Sequence, residues 1–145
     1  MSLQNLVGTS LDAVPPSRTT IGRLLTAARQ RLVDAKSAEV SAETRFGAAY
    51  SAIRLVADAG LNAQGFRVLT SRPGHHQTAI QSLTKTFGIP AGTVIVLDEI
   101  RKQRNLIEYT GDTVPESMVT DCAAEAEQLL ATAVEWLRAN KPDLL

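Results

Sequence analysis

Apolar residues return every three or four positions along four long stretches of this 145-residue chain, and proline or glycine stands between the stretches. At about 100° per residue that period keeps one stripe of each stretch on a single helical face. Ile21, Leu24, Leu25, Ala28, Leu32 and Ala35 form the first stripe, with Thr19 or Thr20 as the expected N-cap. Ser41 caps a longer second helix, whose stripe is Phe46, Ala49, Tyr50, Ile53, Val56, Ala57, Gly60 and Leu61 and whose stop is Gly65. A short helix is predicted from about His75 to Phe87, broken by Gly88-Ile89-Pro90. The fourth covers about Gly92 to Tyr109 with Val96, Leu97, Ile100 and Ile107 inward, and Thr110-Gly111-Asp112 ends it. Residues 93–97 are β-rich, but the spacing after them is helical. Pro115 opens the last helix, which turns Val119, Cys122, Ala126, Leu129, Leu130, Ala133, Val134 and Leu137 inward and stops at Asn140-Lys141-Pro142. With no convincing strand, the pattern predicts an all-α antiparallel bundle of four to five helices over residues 19–140. Residues 1–18, with the Pro15-Pro16 pair, read as a flexible arm, and residues 141–145 as a tail.

Fifteen Lys and Arg balance fifteen Asp and Glu, which removes the bulk basic excess of a non-specific nucleic-acid or membrane-surface binder. The balance is uneven along the chain: residues 1–76 hold nine cations and five acids, a net +4, and residues 77–145 hold six and ten, a net −4. Cys122 is the lone cysteine, so neither an internal disulfide nor a thiolate metal site is available, and a reducing cytoplasm is the expected setting. No apolar run approaches the length of a membrane span, and the first residues lack the order of a signal peptide. No phosphate-binding glycine loop, serine elbow or metal-ligand spacing occurs, so no cofactor or metal is implied.

The densest polar cluster is Arg101-Lys102-Gln103-Arg104-Asn105-Leu106-Ile107-Glu108-Tyr109. Arg101, Arg104, Asn105, Glu108 and Tyr109 share one broad arc of the fourth helix, with Arg104 at the border of the apolar stripe. A half-buried guanidinium there can hold a phosphate or carboxylate in a two-pronged grip, with the Asn105 amide beside it. The competing expectation is that Arg104 pairs with Glu108 one turn on while Arg101 and Lys102 complement the helix end. His75 and His76 follow Arg72-Pro73-Gly74 at a helix start, where backbone donors and Arg72 would favour an anion. Adjacent histidines diverge by about 100° and make a poor metal pair. Tyr50 and Trp136 read as packing residues, Cys122 as a buried inert thiol, and Asp58 as part of a solvated face.

Phe46-Gly47-Ala48-Ala49-Tyr50-Ser51-Ala52-Ile53-Arg54 and, above all, Arg101-x-x-Arg104-Asn105-x-x-x-Tyr109 resemble the HEPN domain (higher eukaryotes and prokaryotes nucleotide-binding), over about Thr20 to Leu137. The resemblance implies an all-α bundle, frequent homodimers and, in many members, a metal-independent endoribonuclease with an arginine, a polar residue and a later histidine. It also implies, for several bacterial systems, a toxin neutralised by a small nucleotidyltransferase. Arg104 falls on the motif arginine, Asn105 on the polar residue, and Tyr109 where ribonuclease members carry histidine. A phenol ionises only near pH 10 and is a poor base beside imidazole, but it can donate to phosphate, stack on a base or accept a nucleotide on its hydroxyl.

Three readings follow. The first is a dimeric module that binds RNA or a nucleotide through Arg104, Asn105 and Tyr109, helped by Arg72, His75, His76, Arg101 and Lys102. The second is a catalytically inactive dimeric interaction protein that uses the same residues as an internal polar network. The third is a weak endoribonuclease in which His75 or His76 replaces the missing motif histidine.

Overall fold

A computed structural model describes residues 2–145, so Met1 of the expected arm lies outside the described residues. Four long helices carry the fold: α1 (Arg18–Asp34), α2 (Ala42–Ala63), α5 (Ala91–Thr110) and α6 (Glu116–Asn140), with the short α3 (His75–Gln81) and α4 (Leu83–Thr86) between α2 and α5. The all-α bundle expected from the apolar period is thus the observed architecture.

α2 is the axis of the bundle because its small residues let neighbours approach on several sides. Ala49, Ala52, Ala57, Ala59 and Ala63 are fully enclosed together with Phe46, Tyr50, Ile53 and Leu61. α1 and α6 pack most extensively on it, and α3, α4 and α5 cover the remaining side. At Gly60 a Cβ would lie 2.7 Å from Thr86 Oγ1 and 2.8 Å from Phe87 Cε2, so α4 and its exit can seat only against a glycine. Phe87 in turn meets Trp136 of α6 edge to face, with ring centroids 5.5 Å apart. Trp136 is a packing residue, as its place on the stripe suggests.

Several boundaries differ from expectation for local reasons. Ser17, ahead of Thr19 and Thr20, caps α1 by accepting from the Thr20 amide at 3.1 Å. Ser41 caps α2 as predicted, accepting from the Thr44 amide. The predicted single helix of residues 75–87 is two, parted at Ser82, whose hydroxyl donates back to the Thr78 carbonyl at 2.6 Å. On α5 the buried stripe is Val94 and Leu97, whereas Val96 is 44% exposed. That helix is rotated relative to the sequence-based stripe because only one side of it rests on α2 and α3.

The residues read as a flexible arm are folded. Leu3–Leu6 form a single 3-10 turn, and β1 (Leu11–Ala13) pairs antiparallel with β2 (Phe66–Val68), placing Leu11 opposite Val68 and Ala13 opposite Phe66. Leu11 is completely enclosed, Asp12 bridges Arg67 across the pair at 3.0 Å, and the Ser17 amide donates to Asn62 Oδ1 at 2.8 Å. A three-residue strand is too short to display its alternation, so this small ribbon left no period to read. Gly65 supports it: the positive φ of 92° turns the chain out of α2 and directly into β2. The tail is anchored too, since Lys141 Nζ donates to the Ala63 carbonyl at the end of α2, at 2.6 Å.

No described helix is long and apolar enough to cross a membrane.

Candidate functional site

After β2 the chain crosses to α3 through residues 69–74. The Leu69 amide donates to the Ser10 carbonyl, tying this loop to the folded arm, and the Arg72 amide donates to the Leu69 carbonyl to close a turn. Gly74, at a φ of 78°, then redirects the backbone into α3, where the Thr78 amide returns to the Gly74 carbonyl at 2.9 Å. α3 packs against α5. Arg72, His75 and His76 therefore face Arg101 and Asn105 across a cleft of about 450 Å³, with Thr70, Ser71 and Gln77 completing its polar wall. No carboxylate is among the described residues that line it.

The wall on α5 is built by an ion pair. Arg101 Nε donates to Asp98 Oδ1 at 2.8 Å, and the two side chains are only 12% and 14% exposed. A carboxylate held this far from water fixes the guanidinium plane, leaving the outer N–H groups of Arg101 to face the cleft. Lys102 lies on the solvent side of the same carboxylate at 4.0 Å and does not line the cleft.

Behind the cleft, Tyr50 joins the two sides. Its hydroxyl and His76 Nδ1 share a hydrogen bond of 3.1 Å, and Arg104 Cζ rests 5.4 Å from the centre of the same ring. Burial pushes the Tyr50 phenol up to about 12, against the pull of Arg104, Arg101 and Arg54. Burial, followed by the positive charges of Arg54, His75, Arg104 and Arg101, holds the His76 imidazole down to about 4. His76 is consequently a neutral ring near neutrality with one nitrogen already occupied, fit to hydrogen-bond a ligand through Nε2 but not to carry a proton to and fro. His75 stacks edge-on against it, centroids 4.5 Å apart, and His75 Nδ1 is buried with no hydrogen-bond partner.

Arg104 is one-third exposed and holds three loose neighbours: the Tyr50 face, Asn105 Oδ1 at 3.4 Å and Glu108 at 4.0 Å. It is neither sealed by Glu108 nor part of the cleft wall, and Arg101 takes the wall position that the motif-based reading assigned to Arg104. Tyr109 is 94% exposed, one turn beyond Asn105 and outside the lining. The structure thus brings Arg72, His75, His76, Arg101 and Asn105 together, sets Arg104 behind them, and leaves Lys102 and Tyr109 outside.

Three residues of this site escaped the sequence reading. Asp98 orients Arg101, and the signal for it was the three-residue spacing on one helix. Arg54 and Asp58, four apart on α2, form a 2.9 Å ion pair with side chains 32% and 21% exposed, so Asp58 is a half-buried, paired carboxylate rather than part of a fully solvated face. Burial pushes the Asp58 carboxyl above its ordinary range, opposed by Arg54 and by His75. Among the described residues no group of three or more His, Cys, Asp or Glu side chains is arranged to hold a metal ion. Burial pushes the Cys122 thiol up to about 12, which fits an inert core cysteine.

Compared with family models, with curated proteins and with solved structures, the chain matches none.

Proposed function

We propose that this chain is a HEPN-like module that binds the phosphate of an RNA or nucleotide in the cleft between the 69–76 segment and α5. The observation that carries this reading is the lining: two guanidiniums, two imidazoles and two amides converge there with no carboxylate among them. Arg72 has no ion-pair partner among the described residues, so its charge is free to meet an anion. A neutral His76 and a solvent-exposed Tyr109 support binding without cleavage, since neither is equipped as a base within the cleft. In this reading Tyr109, exposed one turn along the same helix, stacks on a base of a strand leaving the cleft. On the family resemblance, the module acts as a homodimer in a toxin–antitoxin or defence pair with a small nucleotidyltransferase.

Labelled single-stranded RNA incubated with the chain should show saturable binding and no new cleavage products. Arg72→Ala should weaken that binding by about tenfold, the loss of roughly 1.4 kcal/mol expected for one charge-assisted contact. A binding curve left unchanged by Arg72→Ala would overturn the cleft as the binding site. Cleavage that His75→Ala or His76→Ala abolishes would instead favour the ribonuclease reading.

A further inference from the structure

The opposite flank of α5 carries a second surface that owes nothing to the phosphate reading. α5 rests on α2, α3 and α4, whereas α6 rests on α2 and α1, and the two helices share α2 as support while hardly touching each other. The gap is a groove of about 690 Å³ with Phe46 of α2 and Cys122 of α6 at its floor. Ile95, Val96 and Ile100 form one wall and Met118 the other. Ile95 is 69% and Val96 44% exposed, although both are β-branched apolar residues in the second turn of a 20-residue helix. Two helices with an open apolar channel between them form a seat for a third, which packs at an interaxial distance of about 8–10 Å.

Charge decides what can lie there. Glu99 borders the α5 wall, and Asp121 and Glu125, one turn apart, border the α6 wall; no lysine or arginine is among the described residues that line the groove. A second copy meeting this face about a two-fold axis would set each acidic rim against its own duplicate, which costs rather than contributes. The described segments at either end are seated elsewhere, β1 against β2 and Lys141 on the end of α2. We infer that the α5–α6 groove receives a basic amphipathic helix of a different protein. Its apolar residues at i, i+3 or i+4, and i+7 enter the channel, while Lys or Arg on its two flanks meet Glu99 on one side and Asp121 and Glu125 on the other.

The test is binding of a fluorescent peptide of about four helical turns, with leucines at those positions and lysines on both flanks, to the full chain. Two controls accompany it: a scrambled peptide of the same composition, and one with glutamates in place of lysines. The first peptide should bind at least about tenfold more tightly than either control. Glu99→Lys and Glu125→Lys should each weaken it several-fold. Val96→Asp is the discriminating variant: it adds negative charge but removes an apolar wall, so specific seating predicts weaker binding and mere charge attraction predicts stronger. Because Val96 is exposed, this variant should keep the wild-type circular dichroism and melting curve. Equal binding of the scrambled peptide, or tighter binding by Val96→Asp, would overturn the proposal. So would a dimer of the unmodified chain in sedimentation that Val96→Asp splits, since a second copy would then be the occupant.

Discussion

One helix, α5, presents two flanks of opposite character about half a turn apart. On one, Arg101 and Asn105 face Arg72, His75 and His76 in a polar cleft without a lining carboxylate. On the other, Ile95, Val96 and Ile100 face Met118 across an apolar groove whose charges are all negative. The difference lies in how each flank treats its charge. The cleft is cross-linked: Asp98 holds Arg101, Tyr50 holds His76 and underlies Arg104, and Arg54 holds Asp58. The groove is bonded far more loosely, with Gln103 Nε2 donating to Glu99 Oε1 at 3.5 Å within one wall, and its acids stand ready for a partner from outside. The first arrangement suits a preorganised ligand site, and the second a docking surface completed on association.

The largest break in that contrast should come from Arg101→Ala. It would strand the Asp98 carboxylate at 14% exposure, and loss of one member of a largely buried pair should cost roughly 2–3 kcal/mol. Urea unfolding would measure it, and an Asp98→Ala/Arg101→Ala double variant should recover part of the loss. A cost near zero would mean that water already solvates this wall.

Next in size is a pH effect confined to the cleft. The His76 imidazole is held down to about 4 in the folded chain against about 6.5 when unfolded. Between those values the unfolded chain binds the extra proton and the folded chain refuses it, so stability falls as pH drops from 6.5 toward 4. Partial solvation of the ring limits the loss to the order of 1–2 kcal/mol. Asp58 works in the other direction, because a carboxyl raised by burial takes up its proton more readily when folded, and it should soften the lower end of the profile. His76→Gln should flatten this part of the curve in denaturant titrations at several pH values. An unchanged slope would place the titration elsewhere.

The smallest effect belongs to the groove. Ile95→Ser should change stability by less than about 0.5 kcal/mol, because its side chain is 69% exposed and already in water. Thermal melting checks this, and a large destabilisation would mean that the groove is packed in solution, against the contrast drawn above.

The four long helices were legible because each spans several turns, enough for the three-and-four spacing to declare a face. Ser41 and Gly65 were legible as punctuation for the same chemical reasons that the structure displays. The β1–β2 ribbon was not, since three residues show no period and its pairing joins positions more than fifty apart. The exact rotation of α5 was also beyond the sequence. Val94 lies about 60° to one side of Leu97 and Val96 about 100° to the other, and the partners on α2 and α3 take the Val94 side for burial. That same rotation brings Arg101 to the cleft wall and keeps Arg104 behind it. The meeting of the 69–76 loop with α5 depends on tertiary contacts, so the sequence showed the two polar clusters but not their union.

The most direct test of the cleft assignment is the salt dependence of RNA binding, compared across the two flanks. Each phosphate contact carried by a cation contributes about 1 to the slope of log affinity against log salt. Arg72→Ala should therefore weaken binding and lower that slope by about 1, while Val96→Ser on the groove side leaves both affinity and slope at their wild-type values. A slope unchanged by Arg72→Ala, or lowered equally by Val96→Ser, would contradict the assignment of phosphate binding to the cleft.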